Sequence, residues 1–260
     1  MKASAAYVLG TPLQQTTYAD LSAELKDLSL RPRPFAVDFT NTHIVTMRRH
    51  DPQFRELTSS FDYFIPDAMP LIWCLKMQRA KSGQRVYGPT FMRECVLNSP
   101  APLTHYFLGG SEECVQQLRK SFVSGNPSVK IIGAHSGYFK EDHEPEIVEE
   151  INRLSPDFVW VGLGTPRQQS WIHRHKHTIK RGIVLAVGFA FDVNAGMKKD
   201  SPLWMQRLGL GWLYRLCSEP LRLGPRYLKY NVLFLFYLLR DGVHGRAWNA
   251  PKPMAKTDKV

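Results

Sequence analysis

The chain has 260 residues, 43% of them hydrophobic, and a formal net charge of +11. That length suits one large domain, or one domain with an appendage; the most apolar run, "NVLFLFYLLR", falls short of the roughly 20 residues that span a bilayer. Four scattered cysteines (Cys74, Cys95, Cys114, Cys217) without CxxC spacing exclude a disulfide frame or zinc site and suit a reduced cytosolic protein.

In chain order, "AAYVLG" and "PFAVDF" read as strands, the first in place of a signal peptide. "SAELKDL" and "HIVTMRRH" read as helices, and Asp51 with Pro52 as the N-cap and first position of another. "FDYFIP" is a short strand, followed by an apolar helix "AMPLIWCLKMQ" and a further helix at 89–98. From 104 the alternation becomes regular: strands at 104–109, 129–134, 157–164 and 182–188, with helices at 111–122, 144–154 and 166–177 between them. Strand and helix in turn at this spacing predict parallel βαβ units, hence an α/β fold with a doubly wound, mostly parallel sheet.

The segment from Lys198 to Lys229 carries seven Lys or Arg against Asp200 and Glu219, interleaved with Trp, Tyr and Leu. Such a mixture suits an anionic membrane interface, or a helical hairpin packed on its own domain. No basic stripe outside this segment supports nucleic-acid binding. The expected organisation is a catalytic domain at 1–197, a helical appendage at 198–246, and a polar, disordered tail at 247–260.

Ligands of open parallel sheets bind beyond the carboxyl ends of the strands. Two glycine turns follow strands there, Gly109–Gly110 and Gly162 to Gly164, and could admit a phosphate near a helix N-terminus. "GLGTPR" lacks the third glycine of a dinucleotide fingerprint and "GGSEECV" lacks the P-loop Lys, so both of those chemistries lose ground. Asp67, between a strand and a helix, fits an N-cap or a general base, and local pattern favours the cap. Asp38, Thr40, Asn41 and Thr42 form a second polar cluster after a strand. Arg85 could pair with phosphate. His173, His175 and His177 do not share one helix face and have no acidic ligand nearby in sequence, so no metal site is expected.

The blocks "FIPDAMPLIW", "RVYGPTFM", "YFLGGSEECVQQL", "PDFVWVGLGTPRQQSWI", "FAFDVNAG" and "SPLWMQRLGLGWLYRLCSEPLRLGPRYL" occur in the order that resembles the WecG/TagA/CpsF glycosyltransferases (glycosyltransferase family 26), over about residues 5 to 230. The resemblance implies a Rossmann-like α/β domain whose C-terminal appendage associates with the membrane and completes the active site. It implies an inverting, metal-independent transfer of a sugar from a UDP-sugar to a polyprenyl-diphosphate-linked saccharide. The product would belong to bacterial cell-surface polysaccharide, and the enzyme would sit in the cytoplasm, bound peripherally to the inner membrane face. A non-catalytic protein binding nucleotide-sugar or membrane within a polysaccharide-assembly complex is the alternative. A homo-oligomer stays open.

Carried over onto this sequence, the resemblance implies Asp67 as base. Arg85 and Gln168 fall in the nucleotide-sugar region, and Arg215, Arg222 and Arg226 become grips for diphosphate. Two departures stand out. Asp38 and Thr40 take the places of a common Thr-x-Asn, which makes Asp38 a rival carboxylate, and Phe189 replaces a common glycine in "GFAFD".

Overall fold

The structure, a computed structural model, describes residues 4–78, 83–98, 103–243 and 245–250. One eight-stranded sheet runs through it in the order β1-β2-β4-β3-β8-β7-β5-β6. Its strands are β1 (Ala5–Val8), β2 (Thr11–Gln14), β3 (Pro34–Thr40), β4 (Tyr63–Pro66), β5 (Thr104–Gly109), β6 (Lys130–His135), β7 (Phe158–Gly162) and β8 (Gly182–Ala186). The β1–β2 pair is an antiparallel hairpin at the edge, and all other pairings are parallel. The parallel α/β expectation therefore holds, with the N-terminal strand as its one antiparallel member.

Strand periodicity builds two cores, one on each face. In β3, Phe35, Val37 and Phe39 face one side with Tyr63 and Ile65 of β4 and Phe158 and Trp160 of β7. They pack against α1 (Tyr18–Ser29), α5 (Gly88–Leu97), α6 (Glu112–Gly125) and α9 (Ala190–Asn194). The alternate residues Ala36, Phe64, Val159 and Val161 face α2 (Thr42–His50), α4 (Met69–Met77), α7 (Glu144–Leu154) and α8 (Arg167–His175). Each fully buried side chain of this kind contributes about 1.5–3 kcal/mol. The helix α3 (Pro52–Leu57) is capped by Asp51, whose carboxylate accepts from the Gln53 and Phe54 amides, as its Asp-Pro start predicts.

The C-terminal segment forms α10 (Leu203–Arg207), α11 (Gly211–Ser218) and the 24-residue α12 (Pro220–Val243). One side of α12 lies on α2. Phe234 joins the core, Arg49 pairs with buried Asp241 at 2.7 Å, and His50 meets the Tyr237 hydroxyl at 2.7 Å. The first residues of the tail expected from 247 are packed on the domain instead: Ala247 is fully buried, its carbonyl accepts from the Leu9 N–H at 2.7 Å, and Trp248 packs on the core. The rest of that tail, from 251, lies outside the described residues. No helix among the described residues is long and apolar enough to cross a membrane.

Candidate active site

Five strands end on one cleft. Beyond the carboxyl ends of β3, β4, β5, β7 and β8 come Asn41, Asp67, Gly110, Gly164 and Phe189, and all of them line it. Its volume is about 810 Å³, and the appendage closes one wall with Gln206, Trp212, Arg215, Arg222, Arg226 and Tyr227.

Asp67 is held from three directions. Its N–H donates to the Thr40 carbonyl at 2.8 Å, which fixes the turn after β4 to the end of β3. Its carbonyl accepts from Arg85 Nε at 2.6 Å. Its carboxylate Oδ1 accepts from the Gly88 N–H at 3.1 Å. The cap expectation is corrected in one respect: α4 has Ala68 at its N-cap and no side-chain cap bond. Asp67 instead serves the first amide of α5. Nor does that helix end keep the acid strongly ionised. Burial pushes the carboxyl up to about 7, against the lowering effects of Arg85, the Gly88 amide and Arg215, with Asp200 adding to the rise.

Asp38 and Thr40 do not reach the cleft. Residues in β3 alternate between faces, and those that line the cleft here are Phe39 and, just past the strand, Asn41. Asp38 is fully buried beneath. It accepts from Thr40 Oγ1 at 2.5 Å and from Gln169 Nε2 at 2.8 Å. Burial lifts its carboxyl to about 6 despite those bonds and Arg48. A carboxylate enclosed in this way ties β3 to α8 and has no path to a substrate hydroxyl. Asn41 caps α2, accepting from the Ile44 amide at 3.2 Å, while still lining the cleft.

The glycine turns play unequal parts. Gly110, Gly162 and Gly164 line the cleft, and Gly109 does not. Gly109 has φ +146, and a Cβ there would lie 2.5 Å from the backbone of Gly162, so two neighbouring strands can close only on glycine. Gly164, with φ +79, has open space where a Cβ would be. The α6 start is a poor anion seat: Ser111 already caps the Cys114 amide, and Glu112 and Glu113 occupy the first turn. The α8 start carries no side-chain cap. Just inside it, Gln168 is almost wholly buried at the cleft wall, and its Oε1 has no hydrogen-bond partner. A buried acceptor left open in this way suits a ligand N–H or O–H.

The arginines divide by partner. Arg85 gives Nε to Asp67 and Nη1 to the Gln206 carbonyl at 3.3 Å, and stacks over Tyr87 at 4.1 Å. Arg222 is paired with Glu219, which also takes Lys198 at 3.1 Å. Arg215 and Arg226 each have a buried Nε without a hydrogen-bond partner. Burial, with Arg215 and Arg222 adding repulsion, lowers the Arg226 pKa, and burial beside Arg226 pushes His43 down to about 4. Arg215 and Arg226 thus stand in the cleft wall with donors to spare, an arrangement that can accept an anion.

Sequence reasoning did not single out Tyr87, Asp200 and Gln206. The Tyr87 hydroxyl donates to Asp200 at 2.8 Å, and Gln206 Nε2 donates to the other Asp200 oxygen at 3.1 Å. Together with Arg85 they latch the appendage to the Asp67 turn. Only "RVYG" offered a hint, since Tyr87 lies two places after Arg85. Of the three histidines, His173 meets Ser60, and His175 contacts Glu144 at 2.6 Å. Glu144 lies far from them in sequence. No group of three or more His, Cys, Asp or Glu able to hold a metal occurs among the described residues.

A family model described as Glycosyl transferase WecG/TagA/CpsF family matches residues 6–247. The chain is similar to the N-acetylglucosaminyldiphosphoundecaprenol N-acetyl-beta-D-mannosaminyltransferase of Bacillus subtilis (strain 168), with 27% identity over 72% of each chain. It is also similar to the protein of the same name from Staphylococcus aureus (strain MW2), with 24% identity over 90% of this chain and 91% of the relative.

Proposed function

Because this chain belongs to the WecG/TagA/CpsF glycosyltransferase family, we propose that it is an inverting glycosyltransferase. It moves a sugar from a UDP-sugar to a polyprenyl-diphosphate-linked saccharide in bacterial cell-surface polysaccharide synthesis. One observation carries this reading. A carboxylate with a pKa of about 7, Asp67, lies at the carboxyl edge of the sheet in a cleft whose other wall carries Arg215 and Arg226. A base in a cleft that also presents arginines to a diphosphate is what this transfer needs.

In the proposed reaction the acceptor hydroxyl attacks the anomeric carbon from the face opposite the diphosphate. Asp67 takes the hydroxyl proton as the new C–O bond forms. The bond from the anomeric carbon to the phosphate oxygen breaks, and UDP leaves with the electron pair. The donor lies against the 162–164 turn, with Gln168 Oε1 accepting from it. Arg85 and the neighbouring amides neutralise the charge growing on UDP, so no metal is assigned. Arg215, Arg226 and, less freely, Arg222 hold the lipid diphosphate. The named relatives act on an N-acetylglucosaminyl-diphospho-lipid, which makes that the first acceptor to try.

The same reading puts the protein in the cytoplasm, resting on the inner membrane face. In support, Leu221, Leu228, Val232, Leu235, Leu239 and Val243 recur at helical spacing on α12 and are all exposed. Trp73, Met77, Trp204 and Leu208 add further exposed apolar area. The decisive experiment measures UDP release from a panel of UDP-sugars with a prenyl-diphospho-N-acetylglucosamine acceptor. Release that depends on both substrates supports the reading. UDP-sugar binding without turnover on any lipid-linked acceptor would favour the non-catalytic alternative.

A further inference from the structure

We infer that Phe189 is a positioning residue, the shelf that holds the Arg215 guanidinium in place over the cleft; the inference rests on the proposed role of Arg215 as a grip for diphosphate. The guanidinium carbon lies 3.8 Å from the centroid of the Phe189 ring. Three of the other cleft arginines are held through their N–H groups, whereas Arg226, like Arg215, leaves a buried Nε without a partner. Arg85 uses the Asp67 and Gln206 carbonyls, Arg167 the Gly137 and Phe139 carbonyls, and Arg222 the Glu219 carboxylate. Arg215 has no carboxylate partner among the described residues, and its buried Nε donates to nothing.

That difference has a chemical consequence. A guanidinium presents a flat face and an edge of five N–H donors. Stacking uses the face and leaves the edge for an anion, whereas a carboxylate partner would occupy the edge and cancel the charge. The shelf is itself fixed. The Val187 and Gly188 amides donate to the Val161 carbonyl at 3.0 and 3.3 Å, which ties the turn to the sheet edge. Phe189 then stands at the N-cap of α9, whose Ala190 and Phe191 are core residues. Gly188, with φ +49, makes the bend, and a Cβ there would come 3.3 Å from Gln168 Oε1. The ring thus projects from a rigid corner between the proposed donor wall and the appendage.

The test uses the full chain and inorganic pyrophosphate as the probe, titrated by calorimetry into wild type, Phe189→Leu, Phe189→Tyr, Arg215→Ala and the Phe189→Leu/Arg215→Ala double variant. The Arg215 Nε–Hε resonance is followed in parallel by NMR. Phe189→Leu is expected to weaken pyrophosphate binding about three- to tenfold, and Phe189→Tyr to stay within about twofold of wild type. In the Arg215→Ala background Phe189→Leu should cost nothing more, because the ring acts through that arginine. The ring-current shift of the Arg215 resonance should persist in Phe189→Tyr and vanish in Phe189→Leu. Unchanged affinity and resonance in Phe189→Leu overturn the inference. So does a full loss that persists without Arg215. If Arg215→Ala itself binds pyrophosphate like wild type, the diphosphate reading falls instead, and the resonance still decides whether the ring holds the guanidinium. Should Phe189→Leu fold poorly by thermal melting, Phe189→Met replaces it with the same expectations.

Discussion

The Asp67 carboxylate accepts a hydrogen bond from the backbone N–H of Gly88, 21 positions further along the chain. It therefore caps a helix that it does not begin. This long-range bond aims one carboxylate oxygen at the first turn of α5, in a cleft-lining position that burial brings to a pKa of about 7.

Asp67→Asn should lower kcat by about 100-fold or more, the range for loss of a general base, with UDP affinity nearly unchanged by calorimetry. Wild-type kcat/KM should fall as pH drops through about 7, where the base becomes protonated. Stability should move the other way. The folded pKa is above the unfolded 3.8, so between these values the folded state holds the extra proton, and stability declines as pH rises. Asn removes that decline. At pH 8 the variant should melt above wild type, by roughly 2–4 °C for each kcal/mol of ionisation cost removed. A lower melting point there would contradict the assigned burial.

Tyr87→Phe should loosen the latch between the appendage and the Asp67 turn. It deletes the 2.8 Å bond to the Asp200 carboxylate, worth about 1.5–3 kcal/mol net for a charged acceptor. Hydrogen exchange should speed up in Leu203–Arg207 and stay constant in the sheet strands. Acceptor KM should rise more than donor KM. Unaltered exchange in α10 would show that Asp200 is held by its other donors.

Arg226→Ala should raise the KM for the lipid-linked acceptor by about tenfold or more, as expected for a charge-assisted bond. Arg222→Ala should have a smaller effect, because Glu219 already pairs with that guanidinium. Steady-state kinetics with a short-chain prenyl diphosphate acceptor separates the two. Equal effects would mean that Glu219 releases Arg222 on binding.

Replacing Leu228, Val232 and Leu235 together by Ser should reduce sedimentation with anionic vesicles by about tenfold or more, since each removes apolar area from a membrane contact. All three are exposed, so the melting temperature should hardly move. Full vesicle binding by the triple variant would remove α12 from the membrane reading.

Turnover should survive EDTA within about twofold if arginines and amides carry the leaving-group charge. Loss of activity restored by a divalent ion would require carboxylates to be reassigned as ligands.

Much of the fold could be read directly because local chemistry and tertiary packing agree. From Thr104 to Ala186 each strand is a short apolar run and each helix an amphipathic one, so pattern alone locates the βαβ units. The Asp51-Pro52 start works as a cap because its partners are the next two amides. Asp67 misled on capping for the opposite reason. Its partner amide lies beyond the whole of α4, and no window of local sequence contains both groups.

The amino-acid sequence by itself determined the order of strands and helices from Pro34 to Ala186, though not the second strand at Thr11–Gln14, and it determined the glycine turns at the strand ends and the basic, aromatic character of the appendage. These follow from periodicity, from the special backbone freedom of glycine and from composition. Only the tertiary structure decided which side of β3 meets the cleft. There a one-residue change of phase turns a side chain from substrate to interior, leaving Phe39 and Asn41 at the cleft and enclosing Asp38. Only the tertiary structure, likewise, set Arg215 on Phe189 and shifted Asp67 towards neutrality, because stacking and desolvation depend on groups that chain order keeps far apart.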